Sequence, residues 1–145
     1  MAKLSRDDID ALLGGTPTGE ARIGVLSTAD AAGTPEGSPV WFEYTDGIVR
    51  VLVHRDSRKA RNLRINPKVC LTVDTRSAPY RGVILRGVAR VGGPDPELRK
   101  RLAYRYLGAQ TGEAYLQATA ALDQEDALLT VEVASTYSWD YSKGV

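Results

Sequence analysis

The feature that most constrains this chain is a series of short runs rich in Val, Ile, Leu and aromatic residues, each closed by turn-forming residues. Arg22 to Ser27 carries Ile23, Val25 and Leu26. Ser38 to Tyr44 carries Val40, Trp41, Phe42 and Tyr44. From Ile48 to His54, the set Ile48, Arg50, Leu52, His54 alternates with Val49, Val51, Val53. Alternation of this kind marks a strand with one buried face. Thr45-Asp46-Gly47, between the second and third runs, is a hairpin turn signal. Asp30 to Gly37, rich in Ala, Gly, Pro and Thr, reads as a hairpin loop. Val69 to Asp74 and Val83 to Val91 continue the series, the latter interrupted by Gly87 and ended by Gly92-Gly93-Pro94. Ala127 to Ala134 is the sixth run, and the chain closes on Tyr137-Ser138-Trp139-Asp140-Tyr141.

Short helical patterns lie between the strands. Leu4, Ile9, Leu12 and Leu13 form a stripe with Ser5 as N-cap, ended by Gly14-Gly15, and Thr16 to Glu20 reads as a loop. Asp56 to Asn66 predicts a helix capped by Asp56 or Ser57 and stopped by Pro67. Pro96 to Leu107 predicts another, ended by Gly108, and Gly112 to Leu122 a further one. Six strands that do not alternate with long helices argue for a mostly β (α+β) fold. The expected form is a six-stranded antiparallel barrel, closed or partly closed, with short flanking helices.

No repeat, low-complexity tract or linker divides the 145 residues. One domain spanning 1–145 is expected, with 1–19 as an N-terminal helix and loop, and this length buries enough surface to fold without a staple. One histidine and one cysteine speak against a Cys/His zinc site, and no metal site is expected. Nineteen basic residues face eighteen acidic ones, a net charge of +1, which disfavours nucleic acid as a partner. The start lacks the apolar stretch of a secretory signal, and no run reaches membrane-spanning length. A soluble, cytoplasmic protein with no membrane partner is expected.

Dinucleotide-binding, P-loop and nucleophile-elbow motifs are absent. A Ser-His-Asp triad would have to use His54, and nothing beside it recommends that role. The strongest local feature is Arg55 to Lys68. It holds Arg55, Arg58, Lys59, Arg61, Arg64 and Lys68 against Asp56 alone. It also sits where a strand gives way to a helix. Backbone N–H groups and the dipole at a helix start favour an anion, and Arg58 and Lys59 would add charged donors. The same residues also fit a solvated basic helix face. Arg81 opens a strand and can reach an anion or a ring carbonyl, or stand as an exposed charge. Trp41, Tyr44, Tyr80, Trp139 and Tyr141 can stack a flat ligand or fill the core. Asn62 can orient Arg58 or face solvent, and Cys70 reads as an inert strand residue.

The stretch Ser57-Arg58-Lys59-Ala60-Arg61-Asn62-Leu63-Arg64-Ile65-Asn66-Pro67-Lys68-Val69 resembles the phosphate-binding helix and following strand of the pyridoxamine 5'-phosphate oxidase-like split-barrel proteins. With Ile23-Gly24-Val25-Leu26-Ser27-Thr28, Gly37-Ser38-Pro39-Val40-Trp41-Phe42, Tyr80-Arg81-Gly82-Val83 and Trp139-Asp140-Tyr141, the pattern is similar to the deazaflavin/flavin-dependent oxidoreductases of actinobacteria. The resemblance covers roughly residues 20 to 142. It implies a split barrel, a homodimer, and a cofactor at the dimer interface. It implies that Arg58 and Lys59 hold the cofactor phosphate, and Ser57, Arg61 and Asn62 on the same helix are further candidates for binding the cofactor. Arg81 contacts the ring, the backbone of Pro39, Val40, Trp41, Leu52 and Val53 packs beside it, and Trp139 lies near. The vitamin B6 oxidases themselves carry substrate-binding Arg and His residues in a longer C-terminal region, and with no His after His54 in this sequence vitamin B6 oxidation is not expected.

These readings converge on an oxidoreductase that uses coenzyme F420, with FMN as the alternative, to reduce a small organic substrate. The cofactor carries the hydride, so scarce His and Cys are no obstacle, and no catalytic side chain is assigned. Arg55, Arg61 or Arg64 can meet the acidic tail of the deazaflavin. A non-catalytic flavin- or deazaflavin-binding protein is the competing reading.

Overall fold

The computed structural model of the chain describes residues 2–14 and 21–144. The expected end of the first helix at Gly15 and the loop Thr16 to Glu20 lie outside the described residues. Helix α1 (Arg6–Gly14) starts as expected, with the Asp8 N–H donating to Ser5 Oγ at 3.1 Å. It buries Leu12 and Leu13. Four strands follow: β1 (Gly24–Ala29), β2 (Pro35–Val40), β3 (Glu43–Thr45) and β4 (Ile48–His54). The alternation in β4 is realised, with Val49, Val51 and Val53 buried. Helix α2 (Arg58–Ile65) takes Ser57 as its N-cap, and the Ser57 hydroxyl accepts from Ala60 N–H at 3.3 Å. Then come β5 (Lys68–Asp74), β6 (Arg81–Gly92), helix α3 (Pro96–Ala118), a 3-10 helix (Ala120–Glu125) and β7 (Asp126–Asp140).

All neighbouring strands pair antiparallel, in the order β2-β1-β5-β6-β7-β4-β3. The sheet therefore has seven strands, not the expected six. The extra one comes from a break. The run Ser38 to Tyr44 splits at Trp41-Phe42 into two strands at opposite edges of the sheet. A two-residue link between the two edges brings them together, so the barrel closes through the chain and not through a hydrogen-bonded ladder. Phe42 plunges into the core at this seam. Its N–H donates to Tyr106 Oη at 3.1 Å, and that hydroxyl donates to Arg22 O at 2.8 Å.

Other boundaries also differ from expectation. β2 starts at Pro35, because the turn needs only Asp30 to Thr34. The Asp30 carboxylate accepts from the N–H groups of Ala32 and Thr34, both at 2.9 Å. β7 continues to Asp140 and takes in the closing aromatic segment. It pairs with β6 from Leu128 to Asp140, while β4 covers only Asp126 to Glu132. Gly87 does not interrupt β6. The register shifts beside it, with Ala134 as the additional residue on β7, which is how a bulge bends a long strand around a barrel. The helix expected from Pro96 does end at Gly108, whose φ of 81° and ψ of 169° suit glycine alone, so α3 is two helices in succession, and the second starts directly after Gly108 instead of at Gly112. The segment from Ala120 to Leu122, expected to be helical, is 3-10.

The barrel interior holds Leu26, Phe42, Val49, Val51, Val73, Val83, Leu85 and Leu129, with Leu13 of α1 plugging one side. Each such side chain, fully buried, adds roughly 1.5–3 kcal/mol of transfer free energy. Among the described residues no helix is long and apolar enough to cross a membrane.

Candidate functional site

The end of β4 and the start of α2 form one side of a cavity of about 480 Å³. Leu52, Val53 and His54 come from β4, and Ser57 and Lys59 from the α2 N-terminus. Pro39, Val40 and Trp41 supply the neighbouring wall, where β2 breaks. The opposite wall is Arg99, Leu102 and Tyr115 of α3, with Leu122 of the 3-10 helix and Asp126 at the start of β7.

Four ionisable groups other than tyrosine line this space: His54, Lys59, Arg99 and Asp126. Arg99 and Asp126 neutralise each other at 2.9 Å, each side chain only 12% exposed. The guanidinium also donates to Thr119 Oγ1 at 2.7 Å and lies 5.7 Å from the centre of the Tyr115 ring. His54 is held at both nitrogens. Its Nδ1 lies 3.0 Å from the Asp56 N–H, so it accepts, and Nε2 then carries the proton towards Glu125 Oε2 at 3.0 Å. Lys59 is half-buried, and among the described residues it makes no ion pair. Beside it, the first backbone N–H groups of α2 have no intrahelical acceptor. Ser38 Oγ, next to Pro39, is buried with no partner among the described residues. One end of the cavity therefore presents a cation without an ionic partner among the described residues, and a helix start. That donor set suits a phosphate.

Aromatic packing fixes the wall near Trp41. Its ring stacks on Tyr106 with centroids 5.1 Å apart and planes 4° apart, and Tyr115 tilts against it at 5.5 Å. Tyr106 is in turn pinned by the Phe42 and Arg22 bonds described above.

Of the twelve residues singled out from sequence, seven meet here: Pro39, Val40, Trp41, Leu52, Val53, Ser57 and Lys59. The other five lie elsewhere in the chain. Arg58 turns away to Glu36 at 3.3 Å and is 68% exposed. Arg61 is exposed on the outer face of α2. Asn62 is buried and donates to Thr28 Oγ1 at 3.1 Å, which locks α2 onto β1. Arg81 and Trp139 sit at the far end of the β6–β7 ribbon. There Trp139 lies flat against Gly82, and any Cβ on that glycine would fall 2.2 Å from the ring. Trp139 is eleven residues along β7 from Leu128, the partner of cavity-lining Leu52. That is a contour of about 36 Å at ~3.3 Å per residue.

His54, Arg99, Leu102, Tyr115, Leu122 and Asp126 were not foreseen as site residues. The His54 position was legible, but what faces it was not. The α3 wall reaches the cavity only through the tertiary fold, and no local motif announces it. Among the described residues no group of three or more His, Cys, Asp or Glu side chains forms a metal site.

A family pattern described as Pyridoxamine 5'-phosphate oxidase matches residues 10–140. No curated protein matches the sequence. Among solved structures, a conserved hypothetical protein from Mycobacterium tuberculosis is 26% identical. That alignment covers 97% of this chain and 87% of the other, with a TM-score of 0.76. An F420 reductase is 23% identical over 88% of this chain and 94% of its own, with a TM-score of 0.68. A FAD-binding protein from Mesorhizobium loti is 16% identical over 94% of this chain and 95% of its own, with a TM-score of 0.66.

Proposed function

Because the chain belongs to the pyridoxamine 5'-phosphate oxidase family, with a split-barrel fold, we propose that it is an oxidoreductase built around a phosphorylated, flat redox ring. The ring is coenzyme F420, with FMN as the alternative, and the substrate is a small organic molecule. The observation that carries this reading is Lys59 at the α2 N-terminus, without an ionic partner among the described residues, opening into a cavity whose far wall carries apolar and aromatic side chains and the mutually neutralised Arg99 and Asp126. The solved F420 reductase of the same fold supports the choice of deazaflavin.

A bound ring of either kind supplies hydride transfer. The chain's residues do the rest. Lys59 and the α2 N–H groups hold the phosphate, and Ser57 keeps that helix start in shape. Pro39, Val40 and Trp41 on one side and Leu52 and Val53 on the other flank the ring and exclude water. The whole chain acts as one cofactor-binding unit.

The active unit in this reading is a homodimer with the cofactor at the interface. Tyr80 and Tyr137 are 50% and 46% exposed around Arg81 and Trp139. Such an aromatic patch suits burial against a second copy, and it would bring Arg81 and Trp139 to the partner's ring. Titrating the purified protein with FMN and with F420, followed by cofactor fluorescence, tests the reading. Saturable binding of one of them supports it, and no binding of either refutes it. Turnover with the bound cofactor then separates an enzyme from a carrier.

A further inference from the structure

The cavity is chemically two-sided, and only one side has been given an occupant. At the α2 end stands the one cavity-lining charge without an ionic partner among the described residues, Lys59. Every other charge that lines the cavity is answered inside the chain, among the described residues. The Arg99 guanidinium is spent on Asp126 and Thr119 and is roofed by Tyr115. His54 is committed to Glu125 and to the Asp56 N–H. What remains facing the space is apolar or aromatic: Trp41, Leu102, Tyr115 and Leu122. Leu122 is 48% exposed although it lines a cavity, so its apolar surface lies open to an incoming molecule. An ion entering this side would lose water and find no free counter-charge, which is costly in a partly desolvated site. A neutral ring would meet aromatic and aliphatic surface instead, with Trp41 and Tyr115 fixed in place by Tyr106 and by each other.

We propose that the α3 side of the cavity is a subsite for an uncharged, planar, largely apolar organic molecule. It deepens the proposed function, and rests on it, by giving that reaction its substrate class. The substrate gains one hydride and one proton, and the reduced ring gives up the same two electrons and two hydrogens. Arg99 serves as the positioning residue. From α3 it ties together Tyr115, the helix end at Thr119 and the strand start at Asp126, and so holds the wall in place.

The test uses binding, not turnover. The Lys59→Gln chain removes the free cation, and calorimetry then compares neutral 2-naphthol with 2-naphthalenesulfonate. The expected result is 2-naphthol binding tighter by about tenfold or more. Leu122→Glu, introduced at an open position, should weaken 2-naphthol by a similar factor with the unfolding temperature within about 2 °C of the parent. Tyr115→Leu, which keeps apolar bulk but removes the ring, should weaken it less than Leu122→Glu does. Equal binding of the two naphthalenes, absence of 2-naphthol binding, or indifference to Leu122→Glu overturns the proposal. If neither FMN nor F420 binds the parent chain while 2-naphthol behaves as expected, the cofactor reading fails and the subsite stands.

Discussion

Lys59 keeps its ammonium at the cavity wall with no carboxylate to answer it among the described residues, while its neighbour Arg58 is drawn off to Glu36. The two residues, adjacent in sequence, thus carry different duties. Ser57 connects both to the fold through the Ala60 N–H. Ser57→Ala should cost about 1 kcal/mol of stability, read as a lower urea midpoint, and should also weaken phosphate-bearing ligands. Asp140 gives a second residue-scale prediction. The Ser142 hydroxyl, first of all, then its N–H and the nearby Lys143 and Arg81 charges, hold the Asp140 carboxyl below the usual carboxylate range, against the opposing effect of burial. A lowered folded-state value stabilises the fold above about pH 4 and loses that contribution as pH falls through the lowered value. Thermal melts of Asp140→Asn against the parent should therefore differ at pH 6 and converge in strong acid. A gap that stays constant with pH would contradict this.

At the scale of elements, α3 is the part that turns a barrel into a site. Its break at Gly108 folds the helix back, and Tyr104 donates to Glu113 at 2.7 Å across the bend. Gly108→Ala forces a side chain into a backbone region reserved for glycine, a cost of about 1–3 kcal/mol. Melting should show that loss, and Trp41 fluorescence, measured in a Trp139→Phe background, should shift as Tyr106 and Tyr115 move from its ring. β4, α2 and α1 were legible in the sequence because local signals fix them: strict alternation, a Ser cap, a stop at Pro67. The split of β2 from β3 was not. Trp41-Phe42 continues an apolar run, and only barrel closure, with Phe42 inward and Trp41 on the α3 rings, dictates the break. The full length of β7 was hidden for a similar reason. Ser135 to Trp139 alternates weakly and is held as strand by its pairing with β6.

For the whole molecule, the basic segment pointed to one end of the cavity, since strand end, helix start and charge are contiguous in sequence. It could not tell which of Arg58, Lys59 and Arg61 faces the cavity, because that depends on how α2 packs through Asn62 onto Thr28. Arg81 and Trp139 lie a ribbon's length from Lys59 in one protomer, so the proposed site needs a second copy to unite them. Sedimentation should show a dimer, and Tyr137→Glu, placed in the exposed aromatic patch, should shift the chain towards monomer. Monomeric parent protein that still binds cofactor fully would sink the dimer proposal. The central claim is that Lys59 receives the phosphate of a flat redox cofactor. Its most direct test is the dissociation constant of FMN and of F420 for the parent, Arg58→Ala and Lys59→Gln chains. The account predicts a loss of about tenfold or more for Lys59→Gln and a smaller one for Arg58→Ala. Affinity unchanged within about twofold in Lys59→Gln would contradict it.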